Sequence, residues 1–270
     1  MTAIRLFISD IDGTLVRDDK TLAEATVAAF ARLEKAGIAA SLISARPPSG
    51  MIRLAATLGL AGPMAAFNGG TIVDPDGTIR SAVYLAPETA ISALALLDCP
   101  AVEIWLFAGG QWFARDANHP RIPRERLSSG IGPTIVSDFA ALTARVDKIV
   151  GVGEDRELLL DLERRARQAF GGAATVALSQ RYFLDFTALS ANKGDGVAKL
   201  AAAYGVPLAE VAVIGDMSND LPMFANAGVS IAMGQAPQQV REAARFTTTA
   251  NSDDGVARAI DLIVLAGTGS

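Results

Sequence analysis

The sequence predicts an α/β protein whose core is a doubly wound parallel sheet, with a smaller α+β unit inserted into it. Three observations carry the prediction. Short apolar runs alternate with helical patterns near both ends of the chain. Acids, amides and hydroxyls stand where those runs end, and an open parallel sheet binds ligands at the carboxyl ends of its strands. Between about Ser81 and Thr187 the pattern changes to apolar runs separated by glycine or charge, which reads as antiparallel.

The first run, Ile4-Arg5-Leu6-Phe7-Ile8, is short and rich in β-branched and aromatic residues, as a strand buried on both faces requires. It breaks into Asp10-Ile11-Asp12-Gly13-Thr14-Leu15. As a plain turn this would be unremarkable, but two carboxylates beside a core carry a burial cost that a cation would offset. Thr21 and Glu24 suggest a capping box for a helix that Gly37 closes. Ala39–Ile43 is a second strand, ending in Ser44-Ala45-Arg46. A helix from about Gly50 to Leu58 and a third strand at Met64–Phe67 follow, the strand ending in Asn68-Gly69-Gly70. Residues 71–80 form a hairpin turning at Pro75-Asp76-Gly77.

In the insert, Pro87-Glu88 opens a helix through Leu97, and Gly109-Gly110 separates runs at 102–107 and 112–114. A strand near 148–152, a charged helix at 157–170 and strands near 175–178 and 182–185 complete it. The aromatic residues Trp105, Phe107, Trp112 and Phe113 are expected to pack its core. The first pattern then resumes: a helix from Asn192-Lys193-Gly194 to Tyr204, a strand at 211–214 running into Gly215-Asp216-Met217-Ser218-Asn219-Asp220, a two-turn helix, a strand at 229–233 and a closing helix that Asp253 and Asp254 would cap. The expected organisation is therefore 1–81 with 188–270 as core, and 82–187 as insert.

Composition narrows the function. With 24 basic and 29 acidic side chains the net charge is −5, which argues against a general nucleic-acid surface. Neither a signal peptide nor an apolar run long enough to span a bilayer is evident, so no membrane partner is expected. Cys99 has no intrachain partner, which favours the cytoplasm. With His119 as the one histidine, a His triad or multi-His zinc site is ruled out, and the chemistry falls to carboxylates, Lys, Arg and hydroxyls.

Four sites should meet at one sheet edge: Asp10 and Asp12, Ser44 and Arg46, Lys193, and Asp216 with Asn219 and Asp220. Mg²⁺ takes oxygen ligands and uses few protein carboxylates, while Lys, Ser and free N–H groups suit a phosphoryl group. Asp10, Asp216 and Asp220 against Lys193 and Arg46 leave about −1, which repels a phosphate dianion; one Mg²⁺ reverses the sign. Activity should require the metal.

These four motifs resemble those of the haloacid dehalogenase (HAD) superfamily, and the insert's size and position resemble the cap (C2B type) of the Cof-like phosphatases of subfamily IIB. Ala45 stands where the family usually has glycine, and still leaves an N–H for phosphate. The resemblance implies a Rossmann-like core and a hydrolase acting on small-molecule phosphate esters, sugar phosphates first, through an aspartyl-phosphate. It implies Asp10 as nucleophile and Asp12 as general acid and base, protonated at neutral pH through its acidic neighbours, with Lys193 as electrostatic clamp. Asp10, the Asp12 backbone carbonyl and Asp216 would hold Mg²⁺. Ser44, Ala45, Arg46, Asn68 and Asn219 would line the phosphate, and Asp220 would hold Lys193 or a metal-bound water. Arg46 could instead pair with an acid of the cap. A phosphomutase or phosphotransferase of the same superfamily is the alternative enzyme, and a non-catalytic phospho-ligand or metal sensor the alternative outside catalysis.

Overall fold

The computed structural model describes residues 3–266. In chain order its elements are β1 (Leu6–Ser9), α1 (Glu24–Lys35), β2 (Ala39–Leu42), α2 (Ser49–Leu58), β3 (Met64–Ala66), β4 (Thr71–Val73), β5 (Ile79–Ala82), α3 (Pro87–Leu97), β6 (Glu103–Ala108), β7 (Gln111–Ala114), α4 (Ile122–Ser129), β8 (Pro133–Ile135), β9 (Val146–Val152), α5 (Arg156–Phe170), β10 (Ala174–Gln180), β11 (Phe183–Ala188), α6 (Lys193–Tyr204), β12 (Val211–Gly215), α7 (Leu221–Asn226), β13 (Val229–Ala232), α8 (Gln238–Ala243), β14 (Phe246–Thr247) and α9 (Gly255–Ala259).

The core sheet is parallel, in the order β14-β13-β12-β1-β2. Its centre is the junction of β1 with β12, where Leu6 to Ser9 pair with Val211 to Ile214, joining the two ends of the sequence. Alternate residues of β1 enter different layers, as strand geometry requires. Phe7 packs with α1, its ring 5.9 Å from that of Phe30. Leu6 and Ile8 instead join Val197 and Leu200 of α6 on the opposite face. The core is thus covered on both faces, as a parallel sheet must be.

The expected third strand, β3, departs from the pattern. It pairs antiparallel with β4, which pairs with β5, and meets the main sheet through a single bridge between Ile43 and Ala65. The Thr21 capping box does not form either: the α1 N-cap is Ala23, and the Thr21 hydroxyl donates to Asp19. Asp254 precedes α9 with φ 55° and no side-chain cap bond.

The insert carries a second sheet in the order β10-β11-β9-β6-β7-β8, antiparallel except where β7 meets β8. One face packs α3 and α5, with Leu97, Leu159, Leu106, Phe113 and Phe186 in its core. The other face turns to the core domain. There Trp105, Phe107, Trp112, Val150 and Phe183 share one apolar cluster with Phe67 and the α1–α2 side. Of the four aromatics expected inside the cap, Phe113 lies there, and the other three form its underside. Among the described residues no helix is long and apolar enough to cross a membrane.

Candidate active site

Asp10 and Asp216 sit where core strands stop and their pairing partners run out. β1 ends at Ser9, and Asp10 follows with its N–H on Ile214. β12 ends at Gly215, and Asp216 follows. α6 opens with Lys193 after the Asn192 cap, whose Oδ1 accepts from Asp195 N–H. The adjacency of β1 and β12 therefore brings acids more than two hundred residues apart into contact.

Lys193, 1% exposed, donates to Asp10 Oδ1 and to Asp220 Oδ1, each at 2.6 Å. Asp220 is saturated: its second oxygen accepts from the N–H groups of Asp216 and Met217, both at 2.8 Å. Thr14 donates to Asp216 Oδ1 at 2.9 Å. Lys193 and Thr14 thus engage Oδ1 of Asp10 and Oδ1 of Asp216, leaving the Oδ2 atoms to other ligands. Gly13 has φ 82°, and a Cβ there would overlap the Asp216 carboxylate, so both backbone and space demand glycine.

The charges are out of balance. Burial pushes Asp10 up to about 7 against the pull of Lys193, and burial with Asp10 and Asp220 raises Asp216 well above the usual carboxylate range. Lys193 is opposed by burial, but Asp10 and Asp220 outweigh it and hold its pKa above the ordinary lysine value. Oxygens of Asp10, Asp216 and Asp220 lie within 4.8 Å of one another. Three buried acids sharing one lysine, with free oxygens on two, suit a hard divalent cation, and the residues present fit such an ion.

Asp12 behaves differently from expectation. Arg46 grips it with two hydrogen bonds, Nε to Oδ2 at 2.7 Å and Nη2 to Oδ1 at 2.8 Å, and Lys20 Nζ adds a third at 2.5 Å. Burial works against the charge, but Arg46 and Lys20 outweigh it and hold Asp12 well below the usual carboxylate range. In this conformation Asp12 is ionised, not protonated. The expectation failed because it counted neighbouring acids and left out two directed cations. Arg46 is buried and also donates to Gly50 O, so its partner is an acid of the core, not of the cap.

Ser44 is buried, its Oγ accepting from Arg46 N–H and its carbonyl from Asn68 N–H. Asn68 stands at φ 56°, a left-handed position that asparagine tolerates, and its Oδ1 accepts from Asn219 Nδ2 at 3.2 Å. Among the described residues Asn219 Oδ1 is buried without a partner. Ala45 contributes its carbonyl, which accepts from Lys148 of the cap at 2.9 Å. All ten candidate positions thus gather at one edge of the core sheet, under the cap. Thr14 and Lys20 are additions: Thr14 lies inside the first motif, and Lys20 in the polar stretch that follows it.

The cap is closed on this edge. Ser49 donates to Ser129 O at 2.6 Å and Ser218 to Leu178 O at 3.3 Å, and a Cβ on Gly50 would overlap Ser128 O. A small cavity remains between Asp12, Ala45 and Arg46 of the core and Trp105, Glu125, Ser128, Lys148 and Phe183 of the cap.

Comparison with known proteins places this arrangement. A protein of Haemophilus influenzae is 28% identical over 250 residues, 92% of this chain and 94% of that one. The HMP-PP phosphatase of Cronobacter sakazakii is 28% identical over 237 residues, 87% of this chain and 86% of that one. A solved haloacid dehalogenase-like hydrolase from Bacteroides thetaiotaomicron superposes with TM-score 0.82 at 28% identity, covering 96% of this chain and 99% of its own. A HAD subclass IIB sugar phosphatase gives TM-score 0.83 at 20% identity over 95% of this chain and 98% of its own, a likeness of fold. The family model for haloacid dehalogenase-like hydrolases matches residues 7–260, so the chain belongs to the haloacid dehalogenase-like hydrolase family.

Proposed function

We propose that the chain is a Mg²⁺-dependent phosphomonoester hydrolase acting on small phosphorylated metabolites, sugar phosphates first, through an aspartyl-phosphate on Asp10. The observation that carries this reading is the buried bridge of Lys193 between Asp10 and Asp220 with Asp216 alongside. Binding alone does not call for a nucleophilic carboxylate held against a lysine at the floor of a closing cleft.

In the first step Asp10 attacks phosphorus in line, the P–O bond to the leaving group breaks, and Asp12 delivers a proton to the departing alkoxide. In the second, Asp12 takes a proton from water, which attacks the aspartyl-phosphate and frees Asp10. The ionised Asp12 described above fits the second step directly. For the first, Arg46 and Lys20 must loosen their grip as substrate arrives. Lys193 offsets charge on nucleophile and phosphate throughout, and Asp220 keeps it aimed. Ser44 and the N–H of Ala45 face the phosphate, with Asn68 and Asn219 beside them. Asp10 and Asp216, with the backbone carbonyl of Asp12, would hold Mg²⁺, whose charge admits a phosphate dianion to a site with four acids and three cations. Residues 82–187 act as the cap that excludes water.

The test is phosphate release from an aryl phosphate with Mg²⁺. Release that disappears with chelator and in Asp10→Asn supports the reading. Transfer to an added sugar with little free phosphate would mark a phosphotransferase, and metal binding with no release from a broad ester panel would mark a sensor.

A further inference from the structure

The loop after β3 places three consecutive residues in the left-handed region: Phe67 at φ 48°, Asn68 at φ 56° and Gly69 at φ 94°. Glycine adopts such a φ freely and asparagine tolerates it. For a bulky phenylalanine it is an outlier, and one that persists only where the surroundings impose it. The core accounts for the two later residues. Gly69 presses on the first turn of α6, where a Cβ would overlap Gly196 Cα and Asn192 O, and its carbonyl accepts from Lys199. Asn68 donates its N–H to Ser44 O at 2.7 Å. Phe67 is different: its ring, 2% exposed, packs on Phe107 of the cap, with centroids 5.9 Å apart.

That contact is half of a pair. Lys148 stands opposite Phe107 across β6 and β9, lies 5.0 Å over its ring and donates to Ala45 O at 2.9 Å. Phe107 and Lys148 therefore touch the two segments that carry Ser44 and Asn68. These segments are laced together, because Phe67 N–H donates to Arg46 O and Asn68 N–H to Ser44 O. Asn219 Nδ2 on Asn68 Oδ1 extends the lacing to the loop after β12. Neither Phe67 nor Phe107 has a side-chain polar atom to offer a phosphate, so any effect on the site must pass through placement. Resting on the phosphatase reading, we propose that Phe67 is a positioning residue that couples cap closure to the phosphate pocket, its ring under Phe107 holding Asn68 where it meets Asn219. With the cap displaced, the ring loses its cover and Phe67 its reason to stay left-handed. Asn68 then swings away, so phosphate binds tightly under a closed cap and leaves when the cap opens.

Inorganic phosphate carries no leaving group, so its calorimetric Kd in the presence of Mg²⁺ reads the pocket alone. Phe107→Leu changes the cap and no atom of the core. It should raise that Kd and the KM for p-nitrophenyl phosphate by about 10-fold, with kcat within about 3-fold of the wild type. In an Asn68→Ala background the same change should move Kd by less than about 2-fold, because the coupling ends at the Asn68 carboxamide. Phe67→Gly accepts a left-handed φ without the ring; should Phe107→Leu fold poorly, it carries the test, with the same weakening expected. A ring that only filled space would lower Tm and leave Kd alone. Unchanged phosphate affinity in folded variants, or equal weakening in both backgrounds, would overturn the proposal. A wild type that binds phosphate but hydrolyses no ester would fail the phosphatase reading while the Kd values still judge the coupling, and one that binds no phosphate would overturn both.

Discussion

Glu125 gives a prediction whose size follows from its surroundings. Burial pushes its carboxyl up to about 7 from the ordinary 4.5, with Asp12 and Asp185 adding to the push and Lys148 and Arg46 opposing it. The folded chain therefore holds a proton here that the unfolded chain releases between pH 4.5 and 7. Stability from this group is complete below 4.5 and is lost as pH rises through 7, leaving a burden of about 3 kcal/mol at pH 8. Glu125→Gln keeps the shape of the protonated acid and cannot ionise. At pH 5 the variant and the wild type should agree within about 1 kcal/mol, and at pH 8 the variant should be more stable by about 3 kcal/mol, or about 6 °C or more in Tm. Asp147 is also raised by burial, but it is common to both proteins and cancels in the difference, whereas Asp185 repels Glu125, so the offset belongs to the pair. Urea denaturation at the two pH values measures it. An offset equal at both pH values would mean that packing, not ionisation, sets the effect. A variant less stable at pH 8 would mean that Lys148 holds the carboxylate as an ion.

Two further outcomes probe the core. Gly13→Ala combines a left-handed φ with overlap on Asp216, and it should lower stability by about 2 kcal/mol or more and cut metal-dependent turnover at least 100-fold, read by thermal melts and steady-state kinetics. Arg46→Gln removes the strongest grip on Asp12 in the free enzyme, so the carboxyl should climb back toward the ordinary range; the limb of the kcat/KM–pH profile that reports Asp12 should move up by about one unit or more, and an unmoved limb would show that Asp12 is not the titrating acid.

What the sequence revealed and what it hid divide along physical lines. Asp10, Asp12 and Asp216 were legible because acids interrupt apolar runs at strand ends, a cost that folding alone does not explain. Lys193 was legible as a cation at the start of the helix where the core pattern resumes. Local chemistry of this kind survives in one dimension. The Arg46 grip on Asp12 did not, because it depends on where a loop points an arginine, and charge counting has no direction. The underside of the cap was hidden for a related reason. Trp105, Lys148 and Asp185 become neighbours through the order β10-β11-β9-β6, which spacing along the chain does not encode. Helix α4, which carries Glu125, was missed outright: its residues Ile-Pro-Arg-Glu-Arg-Leu-Ser-Ser have no apolar stripe, and the helix packs instead on the start of α2 through Ser128 and Ser129.

The central claim is that Asp10 carries phosphorus covalently for part of each turnover. Mixing enzyme with Mg²⁺ and a ³²P-labelled hexose monophosphate, quenching in acid within milliseconds and mapping the label by peptide mass analysis tests it directly. Label on the peptide containing Asp10, gained and lost at rates consistent with turnover and missing from Asp10→Asn, is the predicted result. Phosphate release at full rate with no label on the protein, or with label on another residue, would contradict the account.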